Sequence, residues 1–123
     1  MSHRIVVIDN SPTACFVIRR ILEQEWWVVE TYQRPLSALQ ALWSQAETPP
    51  TAVMLDIELP QLDGYRIAQL LRTKAPLPLR SVPIIGLSAH DGVLDRMKGQ
   101  LVGMDAYLSK PFDPSELYHV LAR

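Results

Sequence analysis

Two hydrophobic patterns alternate along the chain. Short, almost wholly apolar runs (Ile5-Val6-Val7-Ile8, Ala52-Val53-Met54-Leu55, Ile84-Ile85-Gly86-Leu87) are separated by longer stretches in which apolar residues recur every three or four positions. Side chains alternate across a sheet, so an unbroken apolar run predicts a strand covered on both faces. The wider spacing predicts helices with one buried face. The first strand, Ile5 to Ile8, ends at the turn and capping cluster Asp9-Asn10-Ser11-Pro12. A helix then runs from about Thr13 to Gln24, with Ala14, Ile18, Ile21 and Leu22 inward. Val28 to Tyr32 predicts a second strand, and Pro35 suits the first turn of a helix through Leu42. Thr48-Pro49-Pro50 breaks that helix, and the third strand, from Ala52, runs into Asp56.

Asp63-Gly64-Tyr65 opens the third helix, with Ile67, Leu70 and Leu71 facing in. A proline-rich loop from Pro76 to Pro83 leads to the fourth strand, which ends at Ser88. The helix from about Gly92 to Val102 is weakened by Gly92 and Gly99. Ala106-Tyr107-Leu108 is the last strand, and Pro114 to Leu121 the last helix, with Leu117, Val120 and Leu121 inward. Five strand–helix pairs predict an α/β fold, a five-stranded parallel sheet wound on both faces. The 123 residues fit one domain, 1–123, ending with its fifth helix and carrying no output domain.

Composition narrows the function classes. With 48% hydrophobic and 20% charged residues, the chain can build a full core. Its apolar runs are too short to span a bilayer, and no signal-peptide pattern opens the chain. The single cysteine, Cys15, cannot form an internal disulfide, which suits a reducing, cytoplasmic setting. It reads as a small core filler. Twelve basic and 13 acidic residues give a net charge of −1, without the basic block that tracks a phosphate backbone, so direct nucleic-acid binding is not expected. Trp26, Trp27 and Trp43 read as packing residues, with at least one available at a partner surface.

The strand ends carry the chemistry. In an open parallel sheet, ligands sit beyond the carboxyl ends of the strands, near a topological switch point. Those ends bring Asp9 and Asn10, then Asp56, then Ser88 and Ala89, and finally Lys110 before Pro111. Taken singly, each has an ordinary reading. Asp9 or Asn10 could cap a helix, Asp56 could begin a turn, Ser88 could bond locally and Lys110 could sit in solvent. Taken together on four strand ends, they converge. Oxygen donors of this kind suit Mg²⁺ rather than zinc, and the lysine would neutralise a bound anion.

These residues resemble the receiver domains of two-component signalling. The likeness is carried by Val6-Val7-Ile8-Asp9-Asn10-Ser11, by Met54 through Gly64, by Leu87-Ser88-Ala89, and by Gly103 through Phe112. Single-domain members of the chemotaxis and twitching-motility type look most similar. The resemblance implies a flavodoxin-like fold. It makes Asp56 the phosphoacceptor, receiving a phosphoryl group from a sensor histidine kinase or phosphotransfer protein. Asp9, Asn10, Asp56 and the backbone carbonyl of Glu58 would hold Mg²⁺. Lys110, Ser88 and Ala89 would meet the phosphoryl group, Tyr107 would follow the switch, and the Lys110–Pro111 peptide would be cis. The implied output face comprises the fourth helix, fifth strand and fifth helix, with Met97 and Leu101 on that helix, and acts on a downstream protein. A monomer or a phosphorylation-dependent dimer is expected, and no enzymatic activity beyond self-phosphorylation and self-dephosphorylation.

Two features depart from the pattern or vary within it. Most active relatives carry two acids where this chain has Asp9-Asn10, so Mg²⁺ binding should be weakened. That leaves a second reading open, a phosphorylation-independent interaction module. Glu58 and His90 occupy the positions that tune the lifetime of the phosphoryl group, and they are expected to restrict the attacking water together. A phosphohydrolase would want an Asp where Glu58 stands, and a dinucleotide-binding enzyme would want glycines in the first turn.

Overall fold

Doubly covered strands need a helical layer on each side, and the computed structural model, which describes residues 3–60, 62–89 and 92–122, supplies both. The order is β1 (Arg4–Ile8), α1 (Pro12–Glu23), β2 (Val28–Tyr32), α2 (Pro35–Ser44), β3 (Ala52–Asp56), α3 (Gly64–Lys74), β4 (Ile84–Ser88), α4 (Val93–Leu101), β5 (Ala106–Ser109) and α5 (Pro114–Leu121). The strands lie in the order β2-β1-β3-β4-β5, and every pairing is parallel. This is the flavodoxin-like order, in which β1 and β3 flank the switch point.

Alternation splits the apolar runs cleanly. Val6, Ile8, Val53, Leu55 and Ile84 face α2 and α3, where Ala38, Leu42, Ile67, Ala68 and Leu71 are buried. Ile5, Val7, Met54, Ile85 and Leu87 face α1 and α5, where Cys15, Ile18, Leu22 and Leu117 are buried. Both cores are needed because β1, β3 and β4 are interior strands.

On two helices the inward set differs from the sequence expectation, though the principal core residues are as expected. On α1, Cys15 is buried and Ala14 only half-buried, while Ile21 packs at the margin of the core. On α3, Ala68 takes the inward place and Leu70 is half-buried. In both helices a small residue fits closest to the sheet. The proline-rich loop is also more ordered than its composition suggests. Leu79 to Ser81 forms a short 3-10 turn that sinks Leu79 into the core. Cys15 is the core filler expected, Trp27 and Trp43 pack at the core margins, and Trp26 is 87% exposed.

Candidate functional site

Local geometry decides what each carboxylate at the strand ends is free to do. Ser11 is the N-cap of α1, its hydroxyl accepting the Ala14 N–H at 3.1 Å. Asp9 is thereby released from capping. Its fully buried carboxylate accepts the Ser11 N–H through Oδ1 at 2.9 Å and the Lys110 ammonium through Oδ2 at 2.7 Å. Asn10, beside it, is exposed.

Asp56 closes β3. Its Oδ1 accepts the Glu58 N–H at 2.9 Å, and its Oδ2 lies 3.9 Å from Lys110 Nζ. The chain turns sharply here, and Gly64 lets it. A Cβ at Gly64 would stand 2.6 Å from both the Asp56 carbonyl oxygen and the Ile57 Cα. Asp63 caps α3 by accepting the Arg66 N–H, so the Asp63-Gly64 pair starts the helix and clears room beneath it.

Ser88 ends β4 fully buried, and its carbonyl accepts the Lys110 N–H at 2.6 Å. Its hydroxyl donates to Glu58 Oε1 at 3.1 Å, and the Ala89 N–H donates to the same oxygen at 3.2 Å. Lys110 precedes Pro111 through a cis peptide, as the resemblance implied. Tyr107 is half-buried on β5, its ring 5.0 Å from the Arg96 guanidinium. His90 lies outside the described residues. The structure therefore draws Asp9, Asp56 and Lys110 into direct contact, with Glu58, Ser88 and Ala89 linked to Asp56 through the Glu58 main chain. Asn10 stands at the rim, and Tyr107 lies on β5 beside α4.

Burial pushes the Asp56 carboxyl above its ordinary range. The Glu58 N–H bond opposes that rise, the Asp9 charge adds to it and the Lys110 ammonium counters it. The result is a basic carboxylate held next to a cation, which suits a nucleophile. Cys15 lies under the same corner, its thiol donating to the Asp9 carbonyl at 3.3 Å. Burial, followed by the Asp9 charge, raises the thiol above its usual value.

The donor set fits a hard divalent cation. Among the described residues no group of three or more His, Cys, Asp and Glu side chains is placed to hold a metal ion by itself. A cation would therefore rest on the Asp9 and Asp56 carboxylates, completed by neutral oxygens, water and a bound anion. Mg²⁺ suits that all-oxygen coordination, whereas zinc prefers sites that include His or Cys donors.

Sequence reasoning missed two features of this site. Nothing in the pattern placed the Cys15 thiol against Asp9, or the Glu58 side chain on Ser88 and Ala89. The steric role of Gly64 had a legible signal, a glycine directly after a capping aspartate.

The family description "Response regulator receiver domain" matches residues 5–122. Protein PilG of Pseudomonas aeruginosa is 36% identical over 114 residues, covering 93% of this chain and 81% of PilG. Transcriptional regulatory protein CssR of Bacillus subtilis is 33% identical, covering 95% of this chain but 48% of CssR, so the chain spans about half of that relative. The fold of chemotaxis protein CheY4 of Vibrio cholerae superposes with a TM-score of 0.88 at 21% identity, covering 100% of this chain and 98% of that one. The receiver domain of sensor histidine kinase PA1611 of Pseudomonas aeruginosa, solved with a magnesium ion in its active-site cleft, gives a TM-score of 0.86 at 30% identity. It covers 100% of this chain and 97% of its own. Among the described residues, no helix is long and apolar enough to cross a membrane.

Proposed function

Because this chain belongs to the response regulator receiver domain family, we propose that it is a phosphorylation-controlled interaction switch with Asp56 as acceptor. Receiver domains of this family engage histidine kinases or phosphotransfer proteins, act on downstream targets, bind Mg²⁺, and are generally not enzymes for external substrates. One observation supports Asp56 above the other carboxylates. It ends the central strand with its Oδ2 turned to the Lys110 ammonium at 3.9 Å, whereas Asp9 is fully buried with both oxygens taken up by hydrogen bonds from Ser11 and Lys110.

The chemistry is a displacement at phosphorus. An Asp56 oxygen attacks the phosphoryl group of a phosphohistidine. The P–N bond breaks, and the imidazole leaves with the electron pair and takes up a proton. Hydrolysis by water later returns the carboxylate and inorganic phosphate. Lys110 holds the phosphoryl oxygens as a point charge, and Ser88 and Ala89 donate hydrogen bonds to them. Asp9, Asp56, the Glu58 carbonyl and Asn10 would hold Mg²⁺, which would supply charge neutralisation. Asn10 gives an oxygen without a charge, so the metal site is weaker than one with two acids. Glu58 and His90 set the lifetime of the adduct. Tyr107 couples the site to the face of α4, β5 and α5, where a cleft of about 210 Å³ lined by Arg96, Gly99 and Met104 opens beside it. The kinase-facing setting is cytoplasmic.

Incubation with acetyl phosphate and Mg²⁺ tests the assignment by intact mass. One phosphoryl group should be gained, and Asp56→Asn should gain none. In the same assay Asn10→Asp should saturate at lower Mg²⁺. An adduct that persists in Asp56→Asn would remove Asp56 as acceptor. The exposed, uncharged Asn10 keeps a second reading in view, a constitutive binder. That reading requires no adduct together with an unchanged partner complex in Asp56→Asn.

A further inference from the structure

A single oxygen of Glu58 satisfies two donors at the end of β4. It accepts the Ser88 hydroxyl at 3.1 Å and the Ala89 N–H at 3.2 Å. The main chain of the same residue donates to Asp56 Oδ1 at 2.9 Å. Glu58 therefore bridges the acceptor carboxylate and the β4 terminus. A hydroxyl carries one proton to donate, and so does a backbone amide. Whichever anionic oxygen these two groups serve, they cannot serve another in the same bond.

A carboxylate oxygen and a phosphoryl oxygen are the same kind of acceptor, anionic and able to take two donors in short, charge-assisted bonds. Resting on the reading of Asp56 as acceptor, we propose that the Glu58 carboxylate is an internal stand-in for the phosphoryl group, a latch that occupies Ser88 and Ala89 until phosphorylation displaces it. The donors are set for release. Ser88 is fully buried and cannot turn to solvent, whereas Glu58 is exposed and its carboxylate can swing into water with little desolvation cost. Phosphoryl capture must therefore exchange two existing bonds for two new ones, which lowers its net gain. Glu58 is a positioning residue in this scheme. It sets how strong a phosphoryl signal must be before the end of β4 reorganises.

The test uses the full chain, ¹⁵N-labelled, with beryllofluoride and Mg²⁺ as the phosphoryl mimic. Native protein, Glu58→Ala and Glu58→Gln are compared by the Ala89 amide resonance without mimic and by mimic affinity. Glu58→Ala should shift the Ala89 amide and tighten the mimic about tenfold, the size of one net charge-assisted hydrogen bond. Glu58→Gln, which keeps an acceptor but no charge, should fall between native and Ala. Equal affinities for native and Glu58→Ala would overturn the latch alone. Gln and Ala behaving identically would reduce the effect to charge repulsion and overturn it as well. Failure of every chain, native included, to bind the mimic would overturn the acceptor reading and the latch with it.

Discussion

The helices on the two sides of the Asp56 pocket are held in opposite ways. On one face, α1 sinks Cys15, Ile18 and Leu22 into the sheet, and α5 sinks Leu117 beside them. On the other face, α4 leaves Leu94 80%, Met97 51% and Leu101 85% exposed, and its buried Gly99 brings no side chain to the core. The helix starts contrast too. Ser11 caps α1 with its hydroxyl, whereas α4 begins at Gly92 with no side-chain cap. What tethers α4 is a set of ring contacts. Lys98 lies 4.5 Å over the Tyr65 ring and Arg96 5.0 Å over Tyr107, while the Tyr65 hydroxyl donates to the Asp95 carbonyl. Burial, chiefly, pushes that hydroxyl up to about 12, so it stays a donor at any physiological pH. Local opening follows buried apolar contact. α1 and α5 are held by deep apolar packing, whereas α4 rests mainly on surface ring contacts and is expected to open more readily.

The contrast is strongest where the core is deepest. Leu22→Ala, at a position with no exposure, should cost about 3 kcal/mol in urea unfolding, and Leu101→Ala less than about 0.5 kcal/mol. Similar losses from the two would break the comparison. At the helix starts, Ser11→Ala should cost about 1 kcal/mol, and Gly92→Ser should gain a few tenths of a kcal/mol. Gly92 has an extended φ of −90°, so the backbone accepts the serine. Thermal melts of the two variants give the ranking, and a larger effect at Gly92 would reverse it.

The smallest effect comes from the Cys15 thiol, whose value is raised above 9.0 by burial. The neutral thiol's contribution is complete below pH 9.0, where the unfolded thiol is also protonated. It is lost as pH rises towards and through the higher folded value. Unfolding midpoints of native protein and Cys15→Ala, followed above pH 9.0, should show a steeper alkaline decline in the native chain. Parallel declines would mean that the thiol meets water and that the α1 layer is looser than its packing implies.

Much of this architecture is legible in the residues. Strands covered on both faces leave continuous apolar runs, so β1, β3 and β4 read directly, and Asp9, Asp56 and Ser88 then fall at their ends. The cluster around Asp56 is legible because topology alone gathers those ends. What escapes is anything set by side-chain reach. The inward set of α1 turns on Cys15 fitting under Asp9 where Ala14 was expected, and spacing alone does not separate two small neighbours. Trp26 takes a left-handed φ of 67° and points into solvent, a turn that no glycine or asparagine announces. The Glu58 contact depends on a rotamer across a loop, beyond the resolution of any periodic pattern.

The bond between Asp9 and Lys110 joins residues 101 positions apart in the chain. A nascent polypeptide that has emerged only through β4 holds both acids with no cation to balance them. Charge balance in the pocket therefore waits until the chain has been made through β5, when that strand docks on the sheet edge and Lys110, just beyond it, reaches Asp9.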